Sequence, residues 1–293
     1  MHKCVSRSGA LPNFLVIGAA KAGTTALYRY LSEHPQVSMS PTKEPHFFAP
    51  GAGPSHRRVT DRTVYEGLFS ANASARGEAS TSYSMFPRWS GVPARIRALV
   101  PEAQFIYLVR DPVQRLQSLY SQTEVPGRSA ADFERWLGDL HDPMNWRVAS
   151  SRYMTQIREY MKEFPAERLL VVAHDDLWHD RRGTLREVFG FLGVDADFWD
   201  DAFQATHNKS ELQRRLSVRG ARLYASKPFG VAAHALPRPA RAVARRGSDA
   251  VLKRTTGPPE VGDSVREQLA QLLGREIEQL RSFTGKSFAR WSM

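Results

Sequence analysis

The segment GAAKAGTT, Gly18 to Thr25, sets a lysine between two glycines and follows them with two threonines. It lies between an apolar run, Asn13 to Gly18 (NFLVIG), and an amphipathic one. If the first is a buried strand and the second a helix, the loop sits at a helix N-terminus. Unpaired N–H groups and a partial positive charge there hold a phosphate or sulfate. Gly23 lets the backbone approach such an anion closely, the hydroxyls of Thr24 and Thr25 add donors, and Ala22 is counted with them among the binding residues of the loop. The pattern is not that of an ATP-binding loop, in which lysine directly follows the second glycine. Here Thr24 takes that place and the lysine lies inside the loop, at Lys21. Taken alone, the same residues also describe a glycine-bearing turn with an exposed lysine.

A second anion-binding pattern is LVRDPVQRLQSLYSQ, Leu108 to Gln122. Arg110 is expected at the carboxyl end of a strand, the edge where open α/β sheets take their ligands. Ser118 follows eight residues later on the next helix. A guanidinium and a hydroxyl suit a phosphate through charge-assisted hydrogen bonds. Two such sites on one sheet edge fit a nucleotide phosphorylated at both ends. An Arg110–Asp111 ion pair and a surface hydroxyl at Ser118 are the structural alternatives.

With these motifs the chain resembles the sulfotransferases that use 3′-phosphoadenosine-5′-phosphosulfate (PAPS). KAGTTALYRYL is similar to their 5′-phosphosulfate loop and LVRDPVQRLQSLYSQ to their 3′-phosphate element, in the same order and about ninety residues apart. The similarity extends over about Asn13 to Val194. KEPHFF (Lys43 to Phe48) and GEASTSY (Gly77 to Tyr83) resemble the carbohydrate branch that acts on heparan sulfate, and bacterial members with small-molecule or glycan acceptors are equally similar. The resemblance implies a three-layer, P-loop-like α/β fold, a central mostly parallel sheet flanked by helices. It also implies PAPS as sulfuryl donor, PAP as product, and no metal.

Sulfuryl transfer by in-line displacement asks for position and charge. Lys21 is the cation expected beside the leaving oxygen. Glu44 is aligned by the resemblance with the general base, and His46, whose ordinary pKa lies near neutrality, is the second candidate. KEPHFF also reads as a proline turn with Phe47 and Phe48 in the core. Glu78, Ser80 and Tyr83 follow a short strand and are expected to line the acceptor pocket. Ala79 stands where the heparan branch often carries a lysine, a departure that argues against a heparan-like acceptor. By family position Tyr153 contacts the nucleotide, with core packing as its alternative. Lys253, Arg254, Thr255, Thr256 and Gly257 (KRTTG) are the counterpart of the family's basic loop. His174, Asp175, Asp176 and His179 match no standard metal-site spacing, and no metal is expected there.

The elements that must position these groups are legible in outline. Strands are expected at Asn13–Gly18, near Arg76–Ala79, at Ala103–Asp111 and at Glu167–Asp176. Helices are expected at Thr24–His34, Val64–Phe69, Val92–Val100, Pro112–Thr123, Ala131–Leu140, Arg152–Phe164 and Thr184–Leu192. Val37 to about Gly77 otherwise reads as irregular, broken by Pro41, Pro45, Pro50, Gly51, Gly53 and Pro54. Val265–Leu280 forms an amphipathic helix with Leu269, Leu272, Leu273, Ile277 and Leu280 on one face. Strands alternating with helices imply a parallel sheet covered on both sides.

Composition sets the frame. A chain of 293 residues with 42% hydrophobic residues supports one large α/β domain, residues 1–293, with 210–259 as a basic helical lid or arm rich in Arg, Ala and Pro. The net charge of +11 is concentrated: Lys209 to Arg254 holds twelve Lys or Arg and two acids. Such a stretch favours a polyanionic donor nearby, and peripheral contact with an anionic membrane is open to it. No nucleic-acid module is recognisable. One cysteine, Cys4, permits no internal disulfide and points to a reducing, cytoplasmic setting. The expected reaction is transfer to a hydroxyl, less readily an amine, of a carbohydrate, glycolipid or small molecule. A small-molecule kinase or NTPase using the same cradle, and a protein binding nucleic acid or membranes through the basic stretch, are the competing classes. The oligomeric state is not specified by the sequence.

Overall fold

A computed structural model describes residues 9–122, 129–204, 214–216, 253–255 and 258–293. The described residues within Met1–Leu116, Leu137–Ala205 and Arg266–Met293 form one compact unit, and those within Gln117–Trp136 and Thr206–Val265 form another.

The first unit is built on a five-stranded parallel sheet in the order β2–β3–β1–β4–β5. The strands are β1 (Phe14–Gly18), β2 (Val37–Met39), β3 (Ala75–Ala79), β4 (Gln104–Val109) and β5 (Leu169–Ala173). Phe14, Leu15, Val16 and Ile17 are all fully buried, as a strand covered on both faces demands. Each such side chain contributes about 1.5–3 kcal/mol on leaving water. Gly77 explains how closely β3 can pack: a Cβ there would meet the Phe14 ring, its partner in register, at 2.3 Å. Chain order runs outward from β1 to β2 and β3 on one side and to β4 and β5 on the other. The carboxyl ends of β1 and β4 therefore flank a topological switch point.

Helices α1 (Thr24–Glu33), α2 (Arg62–Glu66), α3 (Val92–Leu99), α6 (Trp146–Ala149), α7 (Tyr153–Met161), α8 (His174–His179) and α9 (Arg181–Phe191) accompany the sheet. α4 (Pro112–Tyr120) begins in this unit, and α5 (Ala130–Leu137) lies mostly in the second. A final helix, α10 (Asp263–Thr284), buries Leu269, Leu273, Ile277 and Leu280, whereas Leu272 is only half-buried. Thr155 ties α7 to α10, its N–H and hydroxyl both donating to Glu276 at 2.9 and 2.6 Å.

Three differences from the sequence expectation have local causes. The stretch expected to be irregular contains β2, whose three residues are too few to show alternation and which, among the described residues, pairs only with β3. β5 stops at Ala173, and His174 opens α8, where Asp175 and Asp176 complement the positive end of the helix. α9 begins at Arg181 because the Asp180 carboxylate accepts the Gly183 N–H at 3.0 Å. In the second unit, β6 (Arg214–Leu216) and β7 (Lys253–Thr255) pair antiparallel. Apart from Pro258 and Pro259, the rest of the expected basic arm lies outside the described residues. Among the described residues no helix is long and apolar enough to cross a membrane.

Candidate active site

The loop after β1 turns into α1 through Gly23, which sits at φ 98° as the N-cap. Glycine adopts this left-handed conformation without steric cost, and it brings no side chain to cap the helix. No acidic residue occupies the first turn either. The leading amides and the positive helix end thus stay available to an external anion. Lys21 also has a positive φ, 74°, and is half-buried. Stitching to the neighbouring strand comes from the Ala19 N–H, which donates to Leu108 at 2.6 Å.

Arg110, leaving β4, reaches this loop. Its Nη1 donates to the Lys21 carbonyl at 3.4 Å and its Nη2 to Gln114 Oε1 at 3.2 Å. The backbone beneath it is held by Tyr153, whose hydroxyl donates to the Arg110 carbonyl at 2.6 Å. Tyr153 is fully buried, and burial above all pushes its phenol up to about 12, so the hydroxyl stays protonated. Asp111 has its own tasks: one carboxylate oxygen accepts the Gln114 N–H at 2.8 Å and caps α4, and the other accepts the N–H and hydroxyl of Ser292. Ser118 lies in the second unit, and its buried Oγ has no hydrogen-bond partner among the described residues.

His174 is a loop contact that the sequence reading missed, having weighed it only as a metal ligand. Its Nδ1 lies 3.3 Å from the Ala22 carbonyl, and burial, then the Arg110 charge, lowers its pKa to about 4. It is therefore a neutral donor to the loop at ordinary pH. Its place at the carboxyl end of β5 was the available signal. Asp176 points elsewhere, 3.8 Å from Lys286.

On the other side of β1, Glu44, Pro45 and His46 form a tight turn with φ of 61° at Glu44 and 53° at His46. Both are left-handed conformations unusual for side-chain-bearing residues, which persist only where the surroundings impose them. The surroundings here are specific. Glu44 N–H donates to the Ala79 carbonyl at 3.1 Å, and the Thr81 hydroxyl donates to Glu44 Oε1 at 3.0 Å. Lys43 Nζ lies 3.2 Å from the same oxygen, and His46 Nε2 lies 3.7 Å from Oε2. Burial pushes the Glu44 carboxyl up, but Lys43, the Thr81 hydrogen bond and His46 outweigh it, and the net direction is down. Glu44 is thus ionised at neutral pH. His46 is lowered, first by burial and against the pull of Glu44, and its Nδ1 lies 2.8 Å from Ser82 Oγ.

Glu78, Ser80 and Tyr83, expected to line an acceptor pocket, are buried, with 0%, 0% and 2% exposure. They face one another: Ser80 and Tyr83 hydroxyls donate to Glu78 at 2.5 and 2.6 Å, and Tyr65 adds a third bond at 2.8 Å. The structure therefore brings them together beneath the Glu44–Phe48 turn. Of the KRTTG segment, Lys253–Thr255 forms β7, while Thr256 and Gly257 lie outside the described residues.

The fold is that of a solved sulfotransferase from Alicyclobacillus acidocaldarius, with a TM-score of 0.65, 22% identity, and coverage of 97% of this chain and 100% of that one. Residues 55–201 match the profile described as "Sulfotransferase family", half of the chain. The chain belongs to that family. Among curated relatives, the mouse heparan sulfate glucosamine 3-O-sulfotransferase 3B1 is 29% identical over 215 residues, covering 69% of this chain and 51% of the relative. The mouse carbohydrate sulfotransferase 15 is 27% identical over 251 residues, covering 64% and 45%. The chain spans about half the length of the curated relatives it matches.

Proposed function

We propose that this chain transfers the sulfuryl group of PAPS to a hydroxyl of a carbohydrate acceptor. The observation that carries the reading is the convergence of Arg110 on the Lys21 carbonyl at 3.4 Å, where the β1 and β4 loops meet at one sheet edge. An uncapped helix N-terminus, a lysine and an arginine meet there, and these donors fit a multiply anionic nucleotide. PAPS, when bound, supplies the sulfuryl group and leaves as PAP.

Each residue has a task in that displacement. Lys21 offers its ammonium to the oxygen on which charge develops as the S–O bond to phosphate breaks. Arg110 holds the 3′-phosphate through its guanidinium. Tyr153 fixes the Arg110 backbone, and His174 fixes the loop at Ala22. Glu44 accepts the proton of the acceptor hydroxyl as the new O–S bond forms. Its ionised state fits a base, and His46, kept neutral by burial, is the alternative acceptor of that proton.

The acceptor class rests on the relatives, whose names specify heparan sulfate and carbohydrate substrates. A kinase or NTPase reading is disfavoured by the placement of the lysine, inside the loop at Lys21 rather than after Gly23. Incubating the protein with isotopically labelled PAPS and a cell extract tests the proposal. Label should appear on a glycan product in step with PAP release. PAP release without any labelled product, or label on no carbohydrate, would overturn the acceptor assignment.

A further inference from the structure

Glu78 is a buried carboxylate that no step of the proposed reaction uses. Among the described residues, no lysine or arginine forms an ion pair with it. Three hydroxyls replace a cation: Tyr65 from α2, Ser80 from the end of β3, and Tyr83 from the following 3-10 turn (Thr81–Ser84). Two of these also accept hydrogen bonds from the Glu44–Phe48 turn. Ser80 Oγ accepts the His46 N–H at 3.2 Å, and the Tyr83 oxygen accepts the Phe48 N–H at 3.2 Å.

Hydrogen-bond polarity makes this a directional device. A hydroxyl has one proton and two lone pairs, and an ionised carboxylate only accepts. With Glu78 ionised, Ser80 and Tyr83 each spend their proton on it and turn lone pairs towards the turn amides. A protonated Glu78 must donate to one of the three. That hydroxyl's own proton then loses its acceptor inside a fully buried site, which is costly. Resting on the sulfotransferase reading above, we propose that Glu78, as a carboxylate, is a positioning residue that orients the Ser80 and Tyr83 hydroxyls and so holds Glu44 and His46 in their left-handed backbone geometry.

The groups facing Glu78 are Tyr65 from α2, Tyr83 from the 3-10 turn, Tyr160 from α7 and the Glu44 carboxylate from the turn. Burial above all, opposed by the hydroxyl bonds and reinforced by Glu44, raises Glu78 to about 7. The aligned arrangement is therefore assembled as pH rises through neutrality.

Glu78→Gln keeps the shape and reverses one polarity, since the amide donates where Ser80 must donate. Ser80→Ala removes the relay to His46, and Ser80→Thr keeps it. Amide hydrogen exchange reads the turn without reference to catalysis. In Glu78→Gln and Ser80→Ala the His46 N–H should exchange at least about tenfold faster, with the Ile106 N–H of β4 unchanged. Ser80→Thr should restore protection. In transfer from PAPS, Glu78→Gln should lower kcat about tenfold or more with the donor KM within about twofold, and flatten the pH dependence of kcat near 7. Unchanged His46 exchange in folded Glu78→Gln, or an unaltered pH profile, would overturn the inference. Should Glu78→Gln not fold, equal protection in Ser80→Ala and wild type overturns it instead. Absence of PAPS-dependent transfer by the wild type would defeat the functional reading alone, leaving the exchange comparison to decide this one.

Discussion

Arg110 Nη1 donates to the main-chain carbonyl of Lys21, a contact across 89 residues of sequence at 3.4 Å. It makes the loop after β1 and the end of β4 one mechanical piece, and it lets the two cations be tested separately. Lys21 is assigned to charge that develops during transfer, Arg110 to charge already present on the bound nucleotide. Lys21→Ala should reduce kcat roughly 100- to 1,000-fold while PAP affinity changes little. Arg110→Ala should instead weaken PAP by about 10- to 100-fold, the loss of a hydrogen-bonded charge pair. Titration calorimetry with PAP beside steady-state transfer rates checks both.

For the acceptor side, Glu44→Gln should retain PAP binding and lose roughly 100-fold or more in transfer. His46→Gln should be milder, because His46 Nε2 stands 3.7 Å from Glu44 Oε2 and is placed to assist that carboxylate. Transfer by Glu44→Gln near the wild-type rate would move the base to His46.

Glu78 also links stability to pH. Burial holds it above its ordinary value of 4.5, at about 7. Folding therefore favours the protonated form: that contribution is full below about 4.5 and is lost as pH rises through about 7, on the order of 3 kcal/mol in all. Glu78→Gln carries no such dependence. Between pH 5 and pH 8 the Tm of the wild type should fall relative to that of the variant, measurable by thermal denaturation across that range.

The C-terminal segment buttresses the donor side. Trp291 is buried, its ring centroid 5.9 Å from Tyr153 and 4.4 Å from Phe288, and Ser292 binds Asp111. Trp291→Ala should cost about 3 kcal/mol in stability. It should also weaken PAP, since Tyr153 holds the Arg110 carbonyl. Equal PAP affinity in the folded variant would separate Trp291 from the donor site.

The donor side was largely legible in the sequence because local chemistry defines it. A strand, a glycine loop and a helix adjacent in the chain are bound to place Lys21 and Gly23 at a helix N-terminus, and Arg110 ends an unbroken apolar strand. What joins them was not legible. The Tyr153 and Ser292 bonds around Arg110 and Asp111 span 43 and 181 residues, and no spacing rule reaches so far. Glu78 shows the limit on the acceptor side. A glutamate in GEASTSY reads as a polar group for a ligand, whereas the fold supplies three hydroxyls that let it be buried without a cation. The left-handed turn at Glu44 and His46 was equally hidden, because tertiary hydrogen bonds impose it against local preference. β2 escaped notice for the opposite reason, being too short to carry a pattern at all.

Titration calorimetry of the wild-type protein with PAP and, separately, with ATP tests the central claim most directly. A donor site formed at Lys21 and Arg110 predicts saturable PAP binding that is weakened in Arg110→Ala, with ATP binding much more weakly. Tight binding of ATP together with no heat from PAP would contradict it.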